Sequence, residues 1–285
     1  MSRGRSIIAG DWRRSAGPWR RNLTRWRSWR RAASGYGRES CRMRDWVYGF
    51  FMAWGMFLAI PCPRKIWSES ARQKMLVCMP LVGLLAGGVW AGAWLLLRGA
   101  PGPVRAAVCA AAPWLVTGFM HLDGYMDVCD AVLSRRDLAT RQRILKDSHC
   151  GAFAVICMVL LAMGQWSLFL AAEDVSWLGL LLIPAATRAC AGLAVLGLRP
   201  MGTSQYAAMG PARGGYGAAL WVLLALSVGL PLWLDGSFGP LAAAAGYGLA
   251  VWYGFRNLDG MSGDISGFAL TLGELCGCGA AILWR

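Results

Sequence analysis

Charge is what this sequence is shortest of. Only 15% of its 285 residues are Asp, Glu, Lys or Arg, where a soluble globular domain carries about 25%. That scarcity excludes an ordinary water-soluble fold. Acids are scarcer still, fifteen against twenty-nine Lys and Arg. The ten cysteines contain no Cys-x-x-Cys, and the lone pair Cys276-Gly277-Cys278 does not make a zinc site. Most cysteines lie in apolar runs, where reduced thiols behave as small hydrophobes. The arginine-rich N-terminus shows no short apolar core ending at a small-residue cleavage site, so no secretory signal is expected. No internal repeat is visible, which weighs against an inverted-repeat transporter.

What fills the chain instead is apolar. Hydrophobic residues make up 56% of it, in long runs rather than the short alternating strands of a barrel. The composition predicts an all-α, polytopic integral membrane helix bundle. The expected spans are 75–97, 105–120, 150–172, 177–198, 217–234, 240–255 and 265–284, about seven in number by the length a bilayer demands. Residues 46–61 are apolar but short, and both flanks are basic, so they are expected to be re-entrant or interfacial. Thirty-seven glycines allow helices to approach closely.

Two regions are expected: a basic Arg/Trp-rich extension over 1–44, and a single transmembrane catalytic domain over 45–285. Residues 1–45 hold thirteen Arg against Asp11, Glu39 and Asp45, so ten of the fourteen net positive charges sit there. Indoles interleaved with guanidinium groups suit an anionic membrane surface. A single-stranded nucleic-acid arm is the weaker reading of the same composition, and initiation at Met43 a third. Counting crossings puts the polar stretches 121–148, 199–216 and 256–264 together on the cytoplasmic face. The linkers with Glu173, Asp174 and Asp235 fall outside, with Arg98 and Arg105, which fit the charge rule poorly.

The stretch that stands out is His121-Leu122-Asp123-Gly124-Tyr125-Met126-Asp127-Val128-Cys129-Asp130. On a helix, Asp123, Asp127 and Asp130 fall at i, i+4 and i+7 and share a face. Like charges so placed repel, and a divalent cation would offset that. Hard oxygen ligands suit Mg²⁺, which takes one or two carboxylates and bridges to substrate phosphates. The competing reading is a solvated helix start with acids at its positive end. Gly124 would let a group approach the backbone between the acids. His121 reads equally as a general base or a helix cap. Arg135, Arg136 and Lys146, with Asp147 and Ser148 beside them, suit a phosphate site, though Lys146 and Asp147 read equally as a plain surface pair. Arg188 inside an apolar span is either functional or ion-paired. Gly263 and Asp264, with Asp259, form a second acidic, Gly-containing turn, whose N–H groups can meet phosphate.

Taken together, HLDGYMDVCDAVLSRRD and ILKDSHCGAFAV resemble the signature of the cobalamin synthase family, the adenosylcobinamide-GDP ribazoletransferases. The resemblance runs from about residue 45 through the Thr187-Arg188 helix to the closing Gly260–Gly267 element. Val128, Ala131 and Ser262 depart from the common pattern, and none removes a carboxylate. The resemblance implies a Mg²⁺-dependent transfer at the bacterial cytoplasmic (inner) membrane, with the active site facing the cytoplasm. Adenosylcobinamide-GDP and α-ribazole, or its 5′-phosphate, would be joined and GMP released. Asp123, Asp127 and Asp130 would hold the metal. One of them, or His121, would take the proton, and Arg135, Arg136 and Lys146 would steady the diphosphate. The implied surroundings are membrane lipid, with no nucleic acid; a homo-oligomer is compatible. A CDP-alcohol phosphotransferase also uses an aspartate-rich DG motif, but here no GxxxDxxxD follows. A divalent-cation transporter would place its acids in mid-span rather than among basic residues.

Overall fold

A computed structural model describes residues 43–202, 204, 206 and 215–284. The basic extension, up to residue 42, therefore lies outside the described residues, as do 203, 205 and 207–214 of the Gly-rich stretch 199–216. The described residues form ten α-helices, one short 3-10 turn (Glu69–Ala71) and no strand beyond an isolated bridge between Pro200 and Met261. In chain order they are α1 (Met43–Phe57), α2 (Arg72–Leu96), α3 (Gly102–Val116), α4 (Met120–Leu133) and α5 (Leu138–Ile144). Then come α6 (Ala152–Ala171), α7 (Trp177–Gly197), α8 (Tyr216–Asp235), α9 (Gly239–Leu258) and α10 (Gly263–Leu283).

Five helices are long and apolar enough to cross a membrane: α2 with its preceding turn, α6, α7, α8 and α10. The bent pair α3–α4 makes a sixth span if taken as one. The remaining expected span, 240–255, falls on α9, whose 20 residues reach about 30 Å at 1.5 Å per residue. The expectation of about seven spans is thus met to within one. The short segment 46–61 became α1, 15 residues long and below spanning length. It packs Met52 and Ala53 on Met75 and Val82 of α2, and Asp45 accepts from Lys74 Nζ at 2.9 Å.

Helices α2, α7 and α10 form the centre, and α6 and α8 the outside. In their spanning windows α2 and α7 bury 67% of residues and α10 72%, whereas α6 buries 22% and α8 only 17%. The outer faces of α6 and α8 carry exposed Ile156, Leu160, Met163, Trp221, Val222 and Leu226, a surface for lipid tails rather than water. Small residues set the central crossings. A Cβ on Gly83 would stand 2.5 Å from Pro184 O, and one on Gly87 2.0 Å from Leu181 O, so α2 lies backbone-to-backbone on α7.

One break in the helices decides where the acids go. Gly118 and Phe119 take φ of 60° and 63°, and α4 leaves α3 at 91°. A bulky residue in the left-handed region costs about 1–3 kcal/mol. Phe119 is held there from both sides: its N–H donates to Trp114 O and its carbonyl accepts from Asp123 N, both at 2.9 Å. The acidic motif is thus helical, as its spacing predicts, but on a helix turned sharply off the preceding span.

Candidate active site

The three polar stretches meet at one end of the bundle. Asp137 caps α5, accepting from Thr140 N at 3.1 Å and Thr140 Oγ1 at 2.8 Å, and these bonds hold its carboxyl below the usual range. Arg141 of α5 donates to Asn257 Oδ1 at 2.9 Å, and Gln142 to Leu258 O at 2.8 Å. Met201 N donates to Met261 O and Met261 N to Arg199 O, at 2.9 and 2.8 Å. Stretches 121–148 and 256–264 and the described part of 199–216 therefore share one face, as the crossing count requires. The opposite end gathers the other linkers: Arg98 lies 3.9 Å from Asp174, Arg105 donates to Ala172 O at 3.2 Å, and Ser176 bonds to Asp235. Arg98 and Arg105, misfits to the charge rule, are there spoken for locally.

On the shared face, Asp123 is exposed and Asp127 half-buried on the open side of α4. Neither carboxylate has a hydrogen-bond or ion-pair partner among the described residues. Asp264 arrives from the first turn of α10. Ser262 caps that helix, its Oγ accepting from Ile265 N at 3.2 Å. The approach is close because Gly124 has no side chain: a Cβ there would lie 2.9 Å from Asp264 O. One turn on, a Cβ at Gly267 would lie 3.0 Å from His121 O. The negative charges of Asp123 and Asp264 bear on Asp127, with that of Asp130, and Asp264 also feels Lys146. Asp123, Asp127, Asp264 and Lys146 are what the fold brings together.

Several expected site residues go elsewhere. Asp130 is buried, and both its oxygens are taken: Gly151 N donates to Oδ2 at 2.6 Å and Ala154 N to Oδ1 at 2.9 Å. It caps α6, satisfying N–H groups that have no partner within the helix. The trio Asp123–Asp127–Asp130 is therefore not a metal cage. Among the described residues, no three His, Cys, Asp or Glu side chains gather closely enough to hold a metal by themselves. Two carboxylates shared with substrate phosphates are nevertheless the usual environment of Mg²⁺, and Asp123 and Asp127 supply that donor set.

His121 is also corrected. It is 7% exposed, lies on the inner side of α4, and stacks on Phe57 with ring centroids 6.3 Å apart. Its carbonyl accepts from Thr271 Oγ1 at 3.2 Å. That environment fits a packing residue, away from the open acidic face. Gly124 likewise serves the α4–α10 crossing, since protein backbone fills the space a substrate would need. Of the two readings of Arg188, the structure selects the ion pair: 1% exposed, it donates Nη1 to Glu274 Oε1 at 2.6 Å and to Pro184 O at 3.1 Å. A charge in an apolar core needs such a partner. Asp259 bonds to Arg199 and ends α9, so it is not part of a second acidic cluster with Asp264.

The remaining candidates stay on the polar face. Arg135, in the left-handed region at φ 54°, and Arg136 are exposed just past α4. Asp147 faces His149 Nδ1 at 2.6 Å, which holds its carboxyl below the ordinary range; Lys146 is exposed beside them. Ser148 is exposed beside them, and Gly263 opens α10. Sequence reasoning missed Glu274 and Gly151. A lone Glu in a span signals a buried partner, and a Gly before an apolar run signals a tight helix start, where a Cβ would meet Asp130 Oδ1 at 2.6 Å.

The family profile described as cobalamin-5-phosphate synthase matches residues 49–282. The chain belongs to that family. It is similar to proteins named adenosylcobinamide-GDP ribazoletransferase in several bacteria. With that of Clostridium botulinum strain Alaska E43 it is 32% identical over 257 residues, 85% of this chain and 100% of the relative. With that of Clostridium perfringens strain 13 it is 33% identical, over 79% of this chain and 94% of the relative. With that of Ralstonia nicotianae it is 34% identical, over 87% and 97%. No solved structure matches. Neither the CDP-alcohol phosphotransferase nor the transporter reading is favoured by membership of the cobalamin-5-phosphate synthase family.

Proposed function

We propose that this chain is an adenosylcobinamide-GDP ribazoletransferase, joining adenosylcobinamide-GDP to α-ribazole or its 5′-phosphate and releasing GMP. The observation that carries the site is the pair Asp123 and Asp127. In a chain this poor in acids, they stand on an open helical face with no protein donor among the described residues, opposite Asp264 and Lys146.

A ribazole oxygen attacks the phosphorus attached to cobinamide, a new P–O bond forms, and the bond to the GMP oxygen breaks. Such transfers depend on positioning and on charge neutralisation more than on covalent chemistry. Asp123 and Asp127 would hold Mg²⁺, which when bound to the diphosphate supplies that neutralisation. Lys146 offers a further positive charge, and the N-terminus of α10, at Gly263, presents backbone N–H groups to a phosphate oxygen. Arg135 and Arg136 extend the cationic rim. Asp264, facing the pair across the helix crossing, accepts the proton from the attacking hydroxyl at a carboxylate oxygen. The basic residues of this end, Arg64, Lys65, Arg135, Arg136, Arg143 and Lys146, favour the cytoplasmic side of the cell membrane.

The test is purified protein in detergent given adenosylcobinamide-GDP, α-ribazole and Mg²⁺, with cobalamin followed by absorbance and GMP by mass. Equal amounts of both products are expected, and none after chelation of the metal. No GMP from well-folded protein overturns the assignment; divalent-cation flux in proteoliposomes without GMP would install the transporter in its place.

A further inference from the structure

A concavity lies on the same end of the bundle, beside the acidic helix and outside the machinery just described. It encloses about 720 Å³ between the C-terminal half of α1 and the connection to α2, lined among others by Phe51, Met52, Met56, Ile66, Trp67 and Lys65. Its walls are pinned. Trp54 Nε1 donates to Ile60 O at 3.0 Å, Cys62 Sγ to Arg64 O at 3.0 Å, and Ala59 N to Val116 O at 2.9 Å. That last bond, with Phe57 stacked on His121, ties the wall to the bend where α4 begins.

Trp67 is the informative residue. It is 56% exposed, yet fixed: Nε1 donates to Glu69 Oε1 at 2.8 Å, and the Arg72 guanidinium lies 5.8 Å from the ring centroid. An exposed indole held rigid by a hydrogen bond and a cation–π contact is a preformed stacking platform. Met52 and Met56, which also line the pocket, offer polarisable, adaptable contacts to an aromatic face. A single lysine at an otherwise apolar wall supplies one anion contact, the pattern of small-molecule sites of about 300–1,000 Å³.

We propose that this pocket seats the nucleoside substrate, with a flat, largely apolar heteroaromatic base against Trp67 and a 5′-phosphate, where present, at Lys65. The inference rests on the transferase reading and names the subsite of its smaller substrate. Size separates the two substrates: the volume holds a nucleoside and does not hold a corrinoid ring with its side chains. A lipid, the other apolar candidate, also meets tryptophan and lysine at a membrane interface, and the kinetic arm of the experiment separates the two.

The experiment pairs equilibrium dialysis of labelled α-ribazole with steady-state kinetics in each substrate, on wild type, Trp67→Ala, Trp67→Phe and Gly55→Leu. Gly55 also lines the pocket, and leucine there fills it. Trp67→Ala and Gly55→Leu should weaken α-ribazole binding and raise its KM about ten-fold, from the usual strength of base–aromatic stacking. The KM for adenosylcobinamide-GDP and kcat should stay put, and Trp67→Phe should recover most of the affinity. Because Trp67 is on the surface, its variants keep the fold even where Gly55→Leu does not. An active wild type whose Trp67→Ala variant keeps an unchanged α-ribazole KM overturns the pocket, and a lipid occupant gives that same result. A wild type that releases no GMP defeats the transferase reading instead, and the dialysis arm then judges the pocket by itself.

Discussion

Asp130 separates a structural acid from the proposed ligand pair within a single helix, and its substitution has a magnitude that follows from the geometry. Asp130→Ala removes the acceptors of two N–H groups, those of Gly151 and Ala154. A buried donor left unpaired costs about 1–3 kcal/mol, and loss of a helix N-cap about 0.5–2 kcal/mol. Gly151 sits at a helix start that water can reach, so the two donors together should cost about 2–4 kcal/mol. Asp130→Asn keeps one acceptor oxygen and turns an amide NH₂ toward the other N–H, so about half that loss is expected. Thermal and denaturant unfolding in detergent measure this, and turnover is then normalised to folded protein.

The same two assays on Asp123→Asn and Asp127→Asn should give the mirror image. Neither carboxylate supports a backbone group, and removing one relieves repulsion within the cluster, so stability holds or rises by a few tenths of a kcal/mol. Turnover should fall by about two orders of magnitude or more, because charge neutralisation on the phosphates carries most of the catalysis. The reasoning fails if Asp130→Asn loses turnover as steeply as Asp127→Asn while remaining as stable as wild type. It fails equally if Asp127→Asn keeps wild-type turnover.

Breaking the buried ion pair by Arg188→Met or Glu274→Gln should cost about 3–5 kcal/mol, and the double substitution Arg188→Met/Glu274→Leu should recover much of it; unfolding midpoints decide, and single variants as stable as wild type would refute the pairing. Gly87→Val should loosen the α2–α7 crossing by about 1–3 kcal/mol or abolish insertion, since its Cβ has no room; a well-folded, fully stable variant would contradict the close approach. Single cysteines at Ser148, Ser204 and Arg256 should react with an impermeant thiol reagent only from the cytoplasmic side, and one at Glu173 only from the other; labelling of any of the first three from outside alone would sink the orientation. Deleting residues 1–42, which lie outside the matched range 49–282, should leave turnover per inserted molecule within a few-fold; complete loss would give that extension a role in the reaction.

The helices were legible because a lipid environment leaves backbone polar groups no other partner, so long apolar runs could hardly be anything else. The shared face of the three polar loops was legible too, from where the cations fall. What the residues alone did not reveal was which acid does what, and the reason is physical. Spacing puts Asp123, Asp127 and Asp130 on one helical face, but whether a carboxylate there meets solvent or an N–H group is settled by another element. Asp130 meets the N-terminus of α6 and Arg188 meets Glu274, 86 residues away, pairings that no local period encodes. Gly124 carried the same ambiguity, since a missing side chain admits a substrate or a helix equally, and here α10 takes the space. Asp45, Asp130, Asp235, Asp259 and Glu274 each bond to a protein group, and Glu173 sits exposed on the linker at the opposite end. A carboxylate that folding has already satisfied has little left for a ligand, whereas Asp123 and Asp127 keep their full capacity at the face where Lys146 and the α10 N-terminus converge. In a chain with so few acids, that unpartnered pair is the ground on which we propose the phosphate chemistry.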